Sequence, residues 1–298
     1  MSESYSRDSA HKGALAVPQT IAIVSPISTV SWRQAFSTAL PNNGNGIALT
    51  WDDQNPTTAK PYGYGSKKNY KALTDAIKSH DSAQTGLIVT TGGNIAYRAA
   101  VDARLQQTPF ISLLGDVPAR GLANFYGGVA LQSWLANDAR INFMVGKGYH
   151  ASEIGLFCNR RSAMHADEIT LWHGSEYYST GGGNNNDATA FANEFGAVDD
   201  SIKALIISAD PFFQDNKVLL INACNNWIGG NPAVRKVCYP LADYANVPGT
   251  TPVPPGTSFW YGPNLSNAYT LLGQVAGTAL QTGAAVPFLF TTDAPGAL

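Results

Sequence analysis

The sequence predicts an α/β protein of two lobes, each built on a doubly wound parallel sheet. Short apolar runs alternate with amphipathic segments, a spacing typical of parallel strands joined by right-handed helical crossovers. The alternation stops near Pro118 and then starts again, which indicates two successive series. A chain of 298 residues is long enough to build a core in each lobe.

The first series runs from residue 20 to residue 116. Its apolar strands are predicted at 20–26, 46–53, 86–93 and 109–116, and its helices at 31–40, 67–80 and 94–105. The second of these helices carries Tyr70, Leu73 and Ile77 on one face, as an amphipathic helix requires. Ser31 and Asn94 are expected to cap the first and third helices.

The second series runs from residue 131 to residue 240. Its helices are predicted at 131–148, 163–174, 188–195 and 215–227, and its strands at 153–158, 175–180, 204–210 and 234–240. Asp187 ends the low-complexity turn GGGNNND and is expected to cap the next helix. Residues 246–257 are rich in Pro and Gly and are interpreted as a linker that returns to the first lobe. A long helix at 264–283 follows, with small residues on one side that suit close packing.

These patterns divide the chain into two Rossmann-like lobes joined by a hinge. Residues 1–17 form a polar N-terminal tail. The N-terminal lobe is expected to contain 18–118 and about 246–283, and the C-terminal lobe 119–245 and about 284–298.

Composition excludes several classes of function. The net charge is −2 and Lys and Arg form no stripe, so the electrostatic footprint of a nucleic-acid-binding protein is absent. No window reaches the roughly 20 apolar residues of a membrane span, so direct membrane insertion is not expected. Cys158, Cys224 and Cys238 lack metal or redox spacing and are expected to be buried packing thiols.

A ligand of a parallel sheet binds where the strands end, because the loops diverge there and helix N-termini point into the gap. The residues that follow the predicted strands are mostly neutral hydrogen-bonding groups and aromatic rings, as expected of a small-molecule cleft. They are Ser25, Thr91, Gly92, Gly93, Asn94, Asp116, Asn159, Arg160, Asp210, Phe212, Phe213 and Tyr239.

Two of these strand ends are the most informative. In TTGGN, residues 90–94, two glycines would let the backbone approach a carboxylate, although an ordinary capped turn has the same pattern. In ADPFF, Asp210 could receive an ammonium or hydroxyl group, or simply cap the next helix. Phe212 and Phe213 could desolvate a solute or belong to the core. Arg160 could pair with a ligand carboxylate or remain solvated.

The sequence contains no arrangement typical of catalysis or of a cofactor. It lacks G-x-S-x-G, the dinucleotide fingerprint and the P-loop. His165 and His173 lie two helical turns apart, too far to share a metal ion. Asp52 and Asp53 are adjacent in a strand and therefore point to opposite faces. No catalytic residue, metal site or cofactor is predicted.

Segments in the C-terminal third resemble a known family. LIISADPFF, then YPLADYA, then YGPNLSNAYTLLGQVAGTAL are similar to the corresponding stretch of ABC-transporter solute-binding proteins with the type I periplasmic-binding fold. The resemblance covers residues 204–283. It implies that Asp210, Phe212 and Phe213 line the cleft, that Tyr239 stands near the hinge, and that Tyr261 flanks the return strand.

The resemblance implies a solute-binding protein that closes its lobes on an amino acid or related carboxylate for ABC-type uptake. A membrane component of an ABC transporter would then be its partner, and its location would be periplasmic. Residues 1–17 contain no signal-peptide core, which favours the cytoplasm if the chain is complete. Two alternatives stay open: a cytosolic ligand sensor or regulatory protein on this fold, and an enzyme on a doubly wound scaffold.

Overall fold

The computed structural model describes most of the chain as strands, helices and their connections. The described residues are 20–26, 29–55, 60–61, 67–115, 124–132, 136–162, 165–180, 190–244, 247–252, 254–291 and 293–297. Asp116, Asp187 and the tail 1–17 lie outside them, so the predictions made for these residues stay predictions.

The elements follow the alternation predicted from the sequence. In the described residues the strands are β1 (Thr20–Val24), β2 (Ala48–Asp52), β3 (Gln54–Asn55), β4 (Lys60–Pro61), β5 (Leu87–Thr90), β6 (Phe110–Leu114), β7 (Phe125–Ala130), β8 (Ile154–Asn159), β9 (Glu176–Thr180), β10 (Ala204–Ile207), β11 (Lys236–Tyr239), β12 (Ser258–Pro263), β13 (Leu289–Phe290) and β14 (Asp293–Ala297). The α-helices are α1 (Val30–Ala39), α2 (Lys67–Ser79), α3 (Asn94–Ala103), α4 (Ala136–Gly146), α5 (His165–Thr170), α6 (Phe191–Gly196), α7 (Pro211–Asp215), α8 (Lys217–Gly229) and α9 (Leu265–Thr282).

Two separate sheets form the centres of two lobes. The first has the order β13-β7-β6-β5-β1-β2 and the second the order β14-β12-β11-β10-β8-β9. All neighbours pair in parallel except β12 and β14, which are antiparallel. Strands β5, β6, β8 and β10 are buried along their whole length, because helices cover both faces of each sheet. The predicted fold class is confirmed.

The chain changes lobes at other places than the sequence indicates. Residues 125–130 were assigned to the C-terminal lobe but form β7, which pairs with β6; residues 258–263 were assigned to the N-terminal lobe but form β12, which pairs with β11. Strand β13 also lies in the first sheet, beside β7. The Pro/Gly-rich segment therefore leads back into the second sheet. Within the described residues, the chain passes between sheets after β7, after β12 and after β13.

The long helix α9 closes the first lobe by packing on α1. A Cβ atom at Gly273 would lie 2.4 Å from the Phe36 carbonyl oxygen, and one at Gly277 would lie 2.4 Å from Pro41. Both glycines are therefore required for this close approach, as the small-residue pattern predicts. Every helix among the described residues is too short or too polar to span a bilayer.

Candidate ligand-binding site

A cavity lies between the two lobes, at the carboxyl ends of strands from both sheets. The space inside it is about 850 Å³, part of which is open to solvent. The described residues that line it are Trp32, Gly92, Gly93, Asn94, Ile95, Leu113, Gly115, Leu131, Ser162, Ala209, Asp210, Pro211, Gln214, Leu241, Tyr244, Leu265 and Tyr269. Of the predicted site residues, this set includes Gly92, Gly93, Asn94 and Asp210.

The first lobe contributes the N-terminus of α3. Gly92 and Gly93 have φ values of 111° and 72°, which side-chain-bearing residues rarely adopt. The cap of α3 is Gly93, with no side-chain hydrogen bond, so the prediction that Asn94 is the cap is wrong. Asn94 is instead the first helical residue, and its amide lies against Gly115. The start of α3 thus borders the cavity.

An aromatic wall, formed by Trp32 and Tyr269, completes the first-lobe side. The two rings stack with centroids 5.4 Å apart and an angle of 18°. Thr29, rather than the predicted Ser31, caps α1 by accepting a hydrogen bond from the Trp32 N–H, which fixes the start of that helix. The sequence offered no signal for this pairing, since Trp32 and Tyr269 are 237 positions apart.

Ser25 and Thr91 hydrogen-bond to the hydroxyl group of Tyr269 in this wall. Both are fully buried, and the Thr91 hydroxyl donates to the Ser25 hydroxyl at 2.7 Å. Burial raises the pKa of Tyr269, and hydrogen bonds of its hydroxyl with Thr91 and Ser25 act in the opposite direction. These hydroxyl groups bond within the protein and neither residue is among those that line the cavity, so ligand contact by Ser25 and Thr91 stays a prediction.

The second lobe contributes a buried carboxylate. Asp210 is only 8% exposed and caps α7, accepting a hydrogen bond from the Phe212 N–H at 2.8 Å. The Asn159 amide donates to the same oxygen at 3.3 Å, and Ser162 also hydrogen-bonds to the carboxyl group. Burial raises the pKa of Asp210, while these three donors oppose the rise. The helix cap and the cavity-lining role, which the sequence left as alternatives, coincide in one residue.

Asn159 and Arg160 lie beside this carboxylate without lining the cavity. Asn159 is buried, and besides donating to Asp210 it accepts a hydrogen bond from the Arg161 N–H at 3.1 Å. Arg160 is exposed, and its positive charge adds to the lowering of the His165 pKa that burial causes. Asn159 therefore positions Asp210. Neither residue is among those that line the cavity, and Arg160 is exposed, which is one of the two alternatives that the sequence left open; ligand contact by either residue stays a prediction.

The paired phenylalanines belong to the core of the second lobe, which is one of the two alternatives that the sequence left open, and not to the cleft wall that the resemblance implies. Phe212 and Phe213 are 4% and 0% exposed. Phe213 stacks on Phe157 at 5.6 Å, and Phe212 meets Phe191 edge-on at 5.7 Å. Because Pro211 starts α7 at once, the two rings turn inward against β8 and α6 instead of outward.

Tyr239 and Tyr261 are not among the residues that line the cavity. Tyr239 is fully buried and stacks on Tyr244 at 5.0 Å, and only Tyr244 lines the cavity. Tyr261 packs against Phe143 of α4, in a cluster separate from the cavity-lining residues. Gln214 and Tyr244 were not predicted, since they lie in α7 and in the turn after β11 rather than directly at strand ends.

The electrostatics of the cavity are dominated by one group. Asp210 is the only charged residue among the described lining residues. Burial raises the pKa of Tyr244, and the negative charge of Asp210 adds to that rise. Within the described ranges, no cluster of His, Cys, Asp or Glu could hold a metal ion. The site therefore offers one anion, several amide and hydroxyl groups, and a mostly apolar surface.

Comparison by sequence gives no relative: no family model and no curated protein matches the chain.

Comparison by structure gives many. An ABC domain in complex with L-Trp from Streptococcus pneumonia has a TM-score of 0.63 at 10% identity, covering 92% of this chain and 91% of that one. The glucose-galactose binding protein GanP from Geobacillus stearothermophilus has a TM-score of 0.62 at 10% identity, covering 93% and 96%. A LacI family transcriptional regulator from Bifidobacterium animalis subsp. lactis has a TM-score of 0.61 at 11% identity, covering 94% and 96%. Identities this low establish architecture alone, and the architecture of this chain is the type I periplasmic-binding fold.

Proposed function

We propose that the protein binds a small organic solute between its lobes and closes on it. The observation that carries this proposal is a cavity to which both lobes contribute, with the Asp210 carboxylate on one side and the start of α3 on the other. Solved structures of the same fold include solute-binding proteins and ligand-responsive regulators, which supports a binding role over an enzymatic one.

The chemistry of the two sides suits an amino acid or a related carboxylate. The first N–H groups of a helix lack partners within the helix and carry a partial positive charge, so the start of α3 favours a carboxylate. The Asp210 carboxylate favours an ammonium group. A zwitterion oriented in this way would place each charge against its complement.

Closure follows from the placement of these groups on different lobes. A ligand held by Asp210 alone gains contacts with Trp32, Tyr269 and the α3 backbone only when the lobes approach each other. Since those contacts exist in the closed form and not in an open one, binding shifts the population toward closure.

Uptake by an ABC transporter is the use of such closure that we propose, with a membrane component as the partner that recognises the closed form. A regulatory role is the second candidate, because solved structures of this fold include transcriptional regulators. Recovery of the protein from a periplasmic fraction together with a transporter subunit supports uptake, whereas its recovery from the cytosol bound to a regulatory partner supports sensing.

Binding is tested by calorimetric titration of amino acids, carboxylates and sugars, guided by native mass spectrometry of the purified protein for a co-purified solute. We expect one ligand per chain. Ala209→Phe places a ring in the cavity and should abolish binding, whereas Ala197→Phe, on the exposed end of α6, should not. Equal binding by both variants would place the ligand elsewhere and contradict the proposal.

A further inference from the structure

Asp210 is a buried carboxylate without a cationic partner among the described residues. The ion pairs in this part of the structure all join other side chains, and its hydrogen-bond donors are neutral. Its neighbour Asp215 is also a carboxylic acid, and burial together with the Asp210 charge raises the pKa of Asp215 to about 7. A carboxylate that is buried without a counter-charge is costly, so burial raises the pKa of Asp210, and a bound cation would stabilise its ionised form.

The opposite side of the cavity presents flat aromatic surface. Trp32 and Tyr269 stack on each other and both line the cavity, together with Tyr244 beside Asp210. Aromatic faces attract cations and pack well on other flat rings. Most of the remaining lining is aliphatic, as at Leu113, Leu131, Leu241 and Leu265.

Polar side chains are too few for a highly hydroxylated ligand. Apart from the tyrosines and the indole N–H of Trp32, the polar side chains among the described lining residues are Asn94, Ser162, Asp210 and Gln214, and Ser162 is already bonded to Asp210. A sugar brings a hydroxyl group on almost every carbon, and each one that is buried without a partner weakens binding. An acid without an amine would meet the Asp210 charge with nothing to neutralise it.

We propose that the cavity selects ligands that carry an ammonium group on a flat apolar body: aromatic amines, including aromatic amino acids. This inference rests on the proposed function and names the ligand class of the same site. The ammonium group pairs with Asp210, the ring lies against the Trp32–Tyr269 wall, and a carboxylate, where present, faces the start of α3. The amine and the ring are essential, and the carboxylate only adds affinity.

A series of ligands that share one body separates these contributions. Phenylalanine carries ring, amine and carboxylate; phenethylamine lacks the carboxylate, 3-phenylpropionate lacks the amine, and alanine lacks the ring. Calorimetric titration should show binding of phenylalanine and phenethylamine, with affinities at least tenfold weaker for 3-phenylpropionate, alanine and glucose. Equal or tighter binding of 3-phenylpropionate or glucose overturns the inference.

The Asp210→Asn variant tests the charge separately from the fold. Its side-chain oxygen can still accept the Phe212 N–H and cap α7, so the helix start is kept. Phenethylamine affinity should fall at least tenfold. Asp199→Asn is the matched control, because Asp199 also accepts an N–H two residues on, from Ser201, but is exposed; its affinity should equal that of the wild type. An unchanged affinity in Asp210→Asn overturns the inference.

Failure of the inference and failure of the proposed function give different results. Suppose that acids or sugars bind one per chain to the wild type, do not bind the Ala209→Phe variant, and amines do not bind at all. The binding function then stands, and the proposed selectivity for an ammonium group is wrong. If no amine, acid, amino acid or sugar binds, both fall.

Discussion

At the scale of single residues, the site shows which features a sequence can and cannot predict. Gly92, Gly93, Asn94 and Asp210 were selected because they follow strands, and all four line the cavity, since the geometry of a parallel sheet fixes where its strands stop. Ligand contact by these residues stays a prediction. Which neighbouring side chains turn toward the cavity depends on partners far away in the sequence. Phe213 turned inward because Phe157 and Phe191 form its surroundings.

Tyr269 is a residue whose role depends on such distant partners. Its hydroxyl joins β1 and β5 through Ser25 and Thr91, while its ring forms the aromatic wall. Tyr269→Phe keeps the ring and removes the hydroxyl, so we expect a loss of about 1 kcal/mol in the free energy of unfolding. Denaturant titration measures this loss. Tyr177→Phe, at a ring that is 50% exposed, should change the free energy of unfolding little. Equal losses in the two variants would contradict this role of the Tyr269 hydroxyl group.

At the scale of elements, the alternation of strands and helices was predictable and β7 was not. Its sequence FYGGVA contains two glycines, which usually indicate a turn. In the structure, a Cβ atom at Gly128 would lie 2.0 Å from the Ser112 carbonyl oxygen of β6. The glycine therefore permits close pairing of β6 and β7. Because β7 belongs to the first sheet, the first lobe extends to residue 130 and not only to the predicted boundary at residue 118.

One carboxylate joins the end of α2 to the segment that precedes β6. Asp81 accepts hydrogen bonds from the backbone N–H groups of Gln106, Gln107 and Thr108, at 2.8 to 2.9 Å, and from Lys78 at 2.9 Å. Its side chain is 2% exposed. Burial by itself would raise the pKa of Asp81, but Lys78 and the three N–H groups together hold it well below its usual range.

This depressed pKa predicts a loss of stability in acid. The contribution is complete above the pKa of the carboxyl group in the unfolded chain, about 3.9, and is lost as the pH falls toward the lower folded value. Asp81→Asn should lower the free energy of unfolding at pH 7 by about 2 kcal/mol, and the difference from the wild type should shrink at pH 3. A difference that is constant with pH would contradict this account.

Asp75→Asn is the control for that experiment. Asp75 pairs with Lys71 on the surface of α2 and its side chain is 62% exposed. Exposed pairs of this kind contribute about 0.5 kcal/mol or less, so the variant should resemble the wild type at both pH values.

At the scale of the whole molecule, the passage from the second sheet to α9 is held rigidly. Arg140 of α4 is fully buried and donates to the carbonyl oxygens of Tyr261 at 2.8 Å and Pro240 at 3.5 Å. A Cβ atom at Gly262 would lie 1.8 Å from the same Pro240 oxygen. Rotation between the lobes would therefore begin beyond Pro263, near Asn264, which caps α9.

Closure by this rotation should be visible in solution. We expect small-angle scattering to give a smaller radius of gyration when the tightest ligand of the titration series is present at saturation. Ala209→Phe should show no ligand-dependent change, because its cavity is filled. One-to-one binding by the wild-type protein without any decrease in radius would contradict closure while leaving binding intact.

The strands β13 and β14 have a consequence for synthesis on the ribosome. Residues 289–290 complete one edge of the first sheet, and residues 293–297 complete one edge of the second. A nascent chain that has emerged only through α9 therefore holds two unfinished sheets, each with backbone groups open to unwanted pairing. Both of these edges lie within residues 289–297, so they are translated after every other strand and helix of the described residues.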